Sequence, residues 1–328
     1  MQAINYTKYG PLNVLKLEEV RKPVPGNEEV LVRILASSVN FGNVALVKGK
    51  PFVSRFWSGL IKPKYTNPGS DISGVVEEVG KEVTRFKPGD EVIGDLVGCG
   101  LGAYAQYVAC PESVLAMKPA NISHEQAASV PQSALVALQG LRNKGNIQPG
   151  QKVLIYGASG GNGTFAVQVA KAFGAEVTGV CSTKNMELVR SIGADHVIDY
   201  TREDLFSQGG GYDLILSTAG YQSIYDYKRA LGPRGTYVSA GGAMKQVNQG
   251  MLLGPLLSIK GGKKLTFLYQ RTSQEDLFTM KELIEAGKVM PVIDRIYPLE
   301  DTIYAMEYYS KGRSRGKVII TMQDGMAE

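Results

Sequence analysis

The sequence is poor in cysteine and histidine and has no long apolar run. Its 328 residues include only three cysteines, at positions 99, 110 and 181, and two histidines. An odd number of cysteines without Cys-x-x-Cys spacing builds neither a disulfide framework nor a thiolate zinc lobe. The most apolar stretch, 251–259, is far shorter than the ~20 residues that a membrane span needs, and the N-terminus has no signal-peptide pattern. We therefore expect a cytoplasmic protein without a transmembrane segment.

Strong charge of either sign is also missing. The net charge is +5 and 20% of the residues are charged, so the chain is only mildly basic. No Lys/Arg-rich run or aromatic RNA-binding signature accompanies this charge, so no nucleic-acid partner is expected. With 44% hydrophobic residues the composition is globular, and the length suits about two domains. An anionic small molecule is the expected partner.

The pattern of the chain changes at residue 123. Up to about Asn121, short alternating segments and frequent Pro-Gly turns predict a barrel-like domain of β-strands. Ser123-x-x-Gln126 is a capping box and predicts a helix that continues through Ala137. Beyond Gly150, strand and helix patterns alternate, which predicts a doubly wound parallel sheet. The predicted strands of that sheet are 152–156, 176–181, 196–200, 213–217 and 236–240.

Three features lie in the last quarter of the chain. The apolar stretch 265–269 is predicted to form the edge strand of the parallel sheet, and open edges pair with other strands. Thr272-x-x-Glu275 is a second capping pattern and predicts a helix that ends at Gly287. A final strand is predicted at 317–321.

The segment 155–164, IYGASGGNGT, fits two different functions. The spacing G-x-S-x-G at 157–161 is that of a turn presenting a nucleophilic serine, whereas A-x-G-x-x-G at 158–163 is that of a loop binding a dinucleotide diphosphate. A hydrolase needs a histidine after the serine, and only His196 follows, on the third strand of the same sheet. The strand before the loop and the helix after it favour the nucleotide, with a ligand-free glycine turn as the alternative. The residues expected to hold the diphosphate are Ala158, Ser159, Gly160, Gly161, Asn162 and Gly163.

The end of the second strand of the sheet indicates which nucleotide binds. NAD enzymes usually place Asp or Glu there, about 20 residues past the loop, to bind the ribose hydroxyls. This sequence has Cys-Ser-Thr-Lys at 181–184 instead, so no carboxylate repels a 2′-phosphate, and Ser182 and Lys184 can bind one. A charge-assisted hydrogen bond of about 1.5–3 kcal/mol corresponds to a preference of roughly ten- to a hundredfold. The sequence therefore predicts NADPH, with Lys184 as an ordinary solvated lysine as the alternative.

An ordered set of segments resembles the medium-chain dehydrogenase/reductase superfamily, and most closely its zinc-free quinone oxidoreductase branch. The segments are VPQSALVALQGL, GASGGNG, CSTKN, GADHVIDY and RGKVII, and the resemblance covers essentially the whole chain. It implies an α/β fold with a GroES-like β-barrel catalytic domain from residues 1–122 and 271–328, and a Rossmann domain from 123–270. A cleft would hold the nicotinamide. The resemblance also implies that Tyr200 helps to hold the 2′-phosphate, that Lys317 lies near the pyrophosphate, and that a homodimer forms through the edge strand.

Zinc-dependent members of that superfamily bind a catalytic metal through Cys and His or Asp-type side chains. The corresponding segments place Asn40, Ser70 and Gln132 at the three ligand positions, with Asp71 after the second. None of the three is a good zinc ligand. We therefore expect no metal, and the oxyanion stabilisation that a Lewis acid provides is lost.

Quinones and α,β-unsaturated carbonyls suit a site without metal. They accept hydride onto a conjugated system that spreads negative charge onto oxygen, so hydrogen-bond donors suffice. We expect NADPH-dependent reduction of a quinone or enone, with Asn40 orienting the carbonyl and Tyr104 and Gln132 in the pocket. Asn40 as a turn residue bonded to its own backbone is an alternative. Asn43 and Val136 depart from the family pattern.

Two other functions stay open and one is excluded. An NADPH-binding structural or interaction protein with little turnover is one alternative, and a zinc-independent alcohol or aldehyde dehydrogenase is the other. A short-chain reductase is excluded because no tyrosine is followed by lysine four residues later.

One basic and aromatic stretch lies outside the family pattern. Residues 30–70 contain six Lys or Arg and no Asp or Glu, together with Phe52, Phe56, Trp57 and Tyr65. The stretch suits a lid over an apolar or anionic substrate, a solvated loop packed on the barrel, or a peripheral contact with a membrane surface. The sequence leaves these three interpretations open.

Overall fold

The chain divides into two compact units. The computed structural model describes residues 1–52, 55–204, 210–259 and 262–322. The first unit comprises Met1–Gln132, Thr272–Glu285 and Val292–Glu328, and the second comprises Ser133–Arg271 and Ala286–Pro291. The domain bounds expected from the sequence, 1–122 with 271–328 and 123–270, stay a prediction.

The first unit begins with strands and short helices. Its strands are β1 (Gln2–Asn5), β2 (Lys16–Glu19), β3 (Glu29–Ser38), β4 (Asp71–Val79), β5 (Glu91–Asp95), β6 (Tyr107–Pro111) and β7 (Leu115–Met117). Its helices are α1 (Phe41–Lys48), α2 (Arg55–Ser58) and α3 (His124–Ala128). The long strand β3 buries Val32 and Ile34 and exposes Arg33 between them, which is the alternation expected of a half-buried strand.

The second unit alternates strands and helices, as the sequence predicts. Its strands are β8 (Lys152–Tyr156), β9 (Glu176–Cys181), β10 (His196–Asp199), β11 (Tyr212–Ser217), β12 (Leu231–Ser239) and β13 (Lys264–Phe267). The helices are α4 (Pro131–Leu138), which begins at the end of the first unit, α5 (Gly161–Ala172), α6 (Met186–Ser191), α7 (Ile224–Ala230), α8 (Met244–Asn248) and α9 (Gly254–Ser258). The strands pair in parallel in the order β10-β9-β8-β11-β12-β13. The order reverses at β8, and crevices at such switch points bind ligands.

The chain then returns to the first unit. The returning elements are α10 (Gln274–Glu285), β14 (Ile293–Pro298), α11 (Thr302–Ser310) and β15 (Lys317–Thr321). In the larger sheet the order is β14-β15-β3-β4-β5-β7, with β6 also paired to β3. β15 is antiparallel to β3 and parallel to β14, so the last strand of the chain lies inside the sheet. Within the described ranges, no helix is long and apolar enough to cross a membrane.

The two predicted capping boxes have different outcomes. The box at Ser123 is confirmed, because its hydroxyl accepts from the Gln126 amide at 3.3 Å. The box at Thr272 is wrong: α10 begins at Gln274, and the Ser273 hydroxyl accepts from the Asp276 amide at 3.2 Å. The single helix predicted through residue 137 is also wrong, since α3 and α4 are separate and α4 begins at Pro131, where the ring fits the first helical turn.

Candidate functional site

The loop between β8 and α5 turns sharply at a left-handed glycine. Gly157 has φ +84°, and a Cβ there would lie 2.6 Å from the Ala219 methyl group. The amides of Gly157 and Ala158 both donate to the Val180 carbonyl, at 3.1 and 3.0 Å. Glycine is therefore required at 157, and the loop is fixed to β9.

The other two glycines of the loop have different surroundings. A Cβ on Gly163 would lie 2.0 Å from the Gly157 carbonyl oxygen, so any side chain there would displace the loop backbone. A Cβ on Gly160 would meet nothing nearer than that same oxygen at 3.6 Å. Gly160 is the N-cap of α5 and has no side chain to cap the first amides. Open space beside a helix N-terminus is the geometry that binds a diphosphate.

Ser159 does not form a hydrolase site with His196. Ser159 follows the carboxyl end of β8, whereas His196 is the first residue of β10. Because the strands are parallel, the two residues lie at opposite ends of the strands. The His196 Nε2 atom is 3.0 Å from the Glu176 carboxylate, and the Ser159 hydroxyl accepts from the Asn185 side chain at 2.9 Å. The nucleophile interpretation of the loop is therefore excluded.

The residues predicted to hold a 2′-phosphate meet at the ends of β9 and β10. Register pairing places Cys181 opposite Asp199, so Ser182 and Tyr200 follow directly from neighbouring strands. Ser182 is half-buried, and Lys184 and Tyr200 are exposed. The structure thus brings these three residues to one edge of the sheet, and their binding role stays a prediction.

Asp199 is a residue that the sequence analysis missed. Its carboxylate is buried at the end of β10 and accepts from the Thr183 hydroxyl and, at 2.6 Å, from the Thr201 hydroxyl. These hydrogen bonds hold the pKa of Asp199 below its usual range. NAD enzymes usually have an acidic residue at the end of the second strand, here β9. In this chain an acidic residue, Asp199 of the VIDY segment, lies instead on the adjacent strand β10. Because threonine hydroxyls satisfy this carboxylate, it holds the turn after β9 in place.

A buried polar cluster in the first unit contains the predicted carbonyl-orienting residue. The side-chain nitrogen of Asn40 donates to Asp71 at 2.9 Å and to Ser70 at 3.3 Å. The Lys317 ammonium donates to the Asn40 side-chain oxygen at 2.6 Å and lies 3.7 Å from the Asp71 carboxylate. Ser38 also donates to that carboxylate, at 2.8 Å. The cluster joins β3, β4, β15 and the start of α1.

Tyr104 and Asn43 extend the cluster. Asn43 accepts from the Asn40 amide at 2.7 Å, which makes it part of the capping box of α1, and its side-chain nitrogen donates to Pro68 at 2.7 Å. The hydroxyl of Tyr104 lies 3.1 Å from the Asn43 side-chain oxygen and is fully buried. Burial raises the pKa of Tyr104 well above its usual value. Asn43, a departure from the family pattern, therefore has a clear structural role.

The ion pair at the centre of the cluster lies in an environment that disfavours both charges. Burial raises the pKa of Asp71, while the Lys317 charge and the hydrogen bonds from Asn40 and Ser38 oppose that shift. Burial likewise lowers the pKa of Lys317, and the Asp71 charge opposes that shift. The backbone amide of Gln132 also donates to Asp71. Asn40, Ser70 and Gln132 therefore lie around one carboxylate, that of Asp71.

These contacts bear on three predicted roles. Both side-chain N–H groups of Asn40 are engaged and the residue is 4% exposed, so it would have to lose a partner to orient a substrate carbonyl. Tyr104 is equally enclosed, whereas Gln132 is half-buried. A pyrophosphate contact of Lys317 would need the ammonium to leave two buried partners. The three roles stay predictions, and the cluster fits the positioning of neighbouring residues better than contact with substrate.

Across the described residues, no group of three or more His, Cys, Asp or Glu side chains could hold a metal ion. The partners of the cluster are amides, hydroxyls and an ammonium, and an ammonium beside the carboxylate competes with a bound cation.

Comparisons with known proteins match both units. A sequence profile described as alcohol dehydrogenase GroES-like domain matches residues 26–120, and one described as zinc-binding dehydrogenase matches residues 192–320. The chain is 34% identical over 332 residues to 2-methylene-furan-3-one reductase of Solanum lycopersicum, covering 98% of this chain and 79% of that protein. It is 31% identical over 333 residues to the chloroplastic NADPH-dependent alkenal/one oxidoreductase of Arabidopsis thaliana, with the same coverages.

A solved structure has the same fold over nearly its whole length. The quinone oxidoreductase from Coxiella burnetii matches with a TM-score of 0.88 and 28% identity, covering 98% of this chain and 99% of that one. These matches confirm the predicted fold class, a GroES-like domain with a Rossmann-like parallel sheet.

Proposed function

Because the chain belongs to the medium-chain dehydrogenase/reductase family, in its quinone oxidoreductase-like branch, we propose that it reduces a quinone or an α,β-unsaturated carbonyl with NADPH, without zinc. The chain is an enzyme, an oxidoreductase with a nicotinamide cofactor, as its relatives are. The observation that carries the proposal is the open space at Gly160, beside the first turn of α5. Gly160 and Lys184 both follow the carboxyl ends of neighbouring parallel strands.

The glycine loop suits the diphosphate of the cofactor. The first amides of α5 supply donors, and the helix dipole favours the negative charge. The hydroxyl of Ser159 accepts from Asn185, so its own hydrogen is available to a phosphate oxygen. When bound, NADPH supplies the hydride, and the residues of the loop bind and orient it.

The 2′-phosphate is the feature that separates NADPH from NADH. Lys184 is exposed at the turn that follows β9, and Tyr200 is exposed on the adjacent strand end. The Thr183 hydroxyl is engaged by Asp199, which fixes the turn that carries Ser182 and Lys184. We infer that Ser182, Lys184 and Tyr200 bind the 2′-phosphate and select NADPH.

The substrate class follows from what the first unit offers. Reducing a conjugated carbonyl places negative charge on an oxygen, which hydrogen-bond donors stabilise. The donors of Asn40 and Tyr104 are committed within the cluster, while Gln132 at the start of α4 is half-buried. Few hydrogen-bond donors are thus left for a substrate. This suits an acceptor that conjugation already activates better than a simple alcohol, because the alkoxide of an alcohol needs strong stabilisation.

The first test is the consumption of NADPH against NADH with a panel of quinones, enones, aldehydes and alcohols, in the presence of a metal chelator. We expect NADPH-preferring turnover of quinones or enones that the chelator does not change. Turnover confined to alcohols and aldehydes, or loss of turnover with chelator, would contradict the proposal.

Lys184→Ala tests the cofactor preference directly. The variant should weaken NADPH binding by roughly ten- to a hundredfold and leave NADH binding unchanged, because only the 2′-phosphate contact is lost. The dissociation constants are measured by quenching of protein fluorescence. Lys152→Ala is the matched control, because Lys152 is an exposed lysine at the amino end of β8, away from the carboxyl ends of the strands where Lys184 lies. Equal losses for both nucleotides would contradict the assignment.

A second function is favoured because the Asn40 and Tyr104 donors are already hydrogen-bonded within the buried cluster. A protein that binds NADPH for its stability and turns over little would also keep Asn40 and Tyr104 bonded within the core. Tight NADPH binding without turnover of any acceptor in the panel would support this function, and substantial oxidation of NADPH with a quinone or enone would exclude it.

A further inference from the structure

The segment after α1 forms an ordered turn with an apolar tip. Helix α2 ends at Ser58, Gly59 follows with φ +109°, and the Lys64 amide donates back to the Ser58 carbonyl at 2.7 Å. The Tyr9 hydroxyl donates to the Gly59 carbonyl at 2.6 Å, which fastens the base of the turn to the N-terminal part of the chain. Leu60 and Ile61 occupy the tip. The base is thus fixed and the tip is presented outward.

The apolar residues of this segment are exposed. Phe52, Phe56 and Ile61 are 62%, 70% and 93% exposed, and Leu60 is exposed as well. The rings of Phe52 and Phe56 are in edge contact, with centroids 6.2 Å apart, so they form one apolar surface. Scattered apolar residues are normal on a protein surface, but a cluster of four large ones within ten residues marks an interaction site. The side chain of Trp57 and residues 53–54 lie outside the described residues.

Positive charge surrounds the same surface. Lys50, Lys62 and Lys64 are exposed, and the Arg55 guanidinium lies over the Tyr9 ring at 4.4 Å and the Phe52 ring at 5.5 Å. Residues 30–70 contain no Asp or Glu, so no carboxylate of the segment neutralises these cations. We call Phe52, Phe56 and Leu60 to Lys64, with Lys50 and Arg55, the basic apolar turn.

We propose that the basic apolar turn binds the surface of an anionic lipid bilayer. Exposed apolar side chains enter the boundary between headgroups and acyl chains, while lysines beside them meet the negative headgroups. The exposed cations call for an anionic occupant and the exposed apolar tip for one with an apolar interior, and an anionic bilayer offers both. The inference does not depend on the proposed reaction.

The test is co-sedimentation of the full chain with vesicles of mixed phosphatidylserine and phosphatidylcholine. We expect binding that falls when phosphatidylserine is omitted and when salt is raised to about 0.5 M, since salt screens exposed charges. Lys62→Glu with Lys64→Glu should lower the partition coefficient by about tenfold or more, because two charges are reversed near the membrane surface. Phe56→Ser with Ile61→Ser should lower it by a similar factor through loss of apolar burial.

Matched controls separate this surface from general charge and hydrophobicity. Lys81→Glu with Lys87→Glu makes the same change in net charge at exposed positions outside the turn, and Val24→Ser with Tyr304→Ser removes one aliphatic and one aromatic side chain that are also exposed. Neither control should alter vesicle binding. Thermal unfolding of every variant checks that the fold is intact.

Three outcomes would overturn the proposal. They are an absence of binding of the original protein to anionic vesicles, an equal loss of binding in the test and control variants, and unchanged vesicle binding of the test variants together with a raised KM for an enone or quinone. The last result would assign the turn to substrate entry instead. Loss of vesicle binding in the test variants alone, with turnover in solution unchanged, supports the proposal.

Discussion

Lys317 has contacts in the structure that its sequence position does not indicate. Its position in the final strand suggested a cofactor contact, but its ammonium donates to Asn40 and lies beside Asp71 in the core. The partners are 277 residues apart in sequence, and no local pattern indicates that such side chains meet. Burial of the pair depends on the pairing of β15 with β3, which is a property of the whole sheet. Inference from single residues therefore could not assign the partners of Lys317, and its proposed cofactor contact stays a prediction.

Removing one member of this pair should destabilise the protein strongly. Lys317→Met leaves the Asp71 carboxylate buried without its counter-charge, so the free energy of unfolding should fall by about 3–5 kcal/mol. Urea unfolding of the full chain, followed by the fluorescence of its one tryptophan, Trp57 in the first unit, measures the loss.

The double variant distinguishes charge from packing. Asp71→Asn combined with Lys317→Met removes both charges, and it should recover a large part of the lost stability. If the double variant is no more stable than Lys317→Met, side-chain packing rather than charge explains the loss.

Asp199 gives a prediction about pH. Hydrogen bonds from Thr183 and Thr201 lower its pKa in the folded state, so this contribution to stability is present above the unfolded pKa of about 3.9 and is lost as the pH falls through the folded pKa. The free energy of unfolding should therefore fall more steeply on acidification in the original protein than in Asp199→Asn. Thermal unfolding of the ligand-free protein between about pH 6 and 3 tests this. Parallel curves would contradict it.

At the scale of elements, local patterns predicted well what depends on neighbours in sequence. The Ser123 capping box and the strand, glycine turn and helix of 152–172 formed as expected, because their hydrogen bonds and steric limits are local. The Thr272 box failed because a tertiary partner, Asp95, binds its hydroxyl at 3.0 Å, and Ser273 caps the helix instead. Both patterns look alike in sequence. Only the position of β5 distinguishes them.

The glycine loop allows a paired prediction. Gly160→Ala should keep the stability of the ligand-free protein, because the new methyl group enters open space, but it should weaken NADPH binding by about tenfold or more by occupying the place of the diphosphate. Gly163→Ala should lower the unfolding temperature itself, because its Cβ would lie 2.0 Å from the Gly157 oxygen. Calorimetry for stability and fluorescence titration for NADPH binding measure both. Unchanged NADPH binding in Gly160→Ala would remove the loop from the cofactor site.

At the scale of the whole molecule, composition and alternation were sufficient to predict two units of different architecture. They did not show that the first unit takes strands from both ends of the chain, which came from the family resemblance. The cytoplasmic location stays a prediction. The homodimer also stays a prediction. In the described residues β13 lies at the edge of the six-stranded sheet, as expected, and its outer side has no partner strand.

The dimer prediction is tested at that edge. We expect light scattering to give the mass of two chains, and Thr266→Lys on β13 with Tyr269→Lys just beyond it to shift the mass towards one chain, because charges on and beside an edge strand oppose pairing. Leu17→Lys with Val24→Lys, two exposed positions of the first unit, is the control and should leave the mass unchanged. A monomeric mass for the original protein would contradict the prediction.

The place of β15 between β14 and β3 sets an order of events during synthesis. A ribosome adds about 5–20 residues per second, so the strand that carries Lys317 emerges on the order of ten to fifty seconds after Asn40. During that interval β3 cannot pair with β15, and the Asp71 carboxylate lacks the Lys317 ammonium. The residues of the second unit, apart from 286–291, form one continuous stretch and can fold earlier. The parallel sheet of the second unit can therefore form while the first unit still lacks β15, and the chain exposes the unpaired side of β3 during this interval.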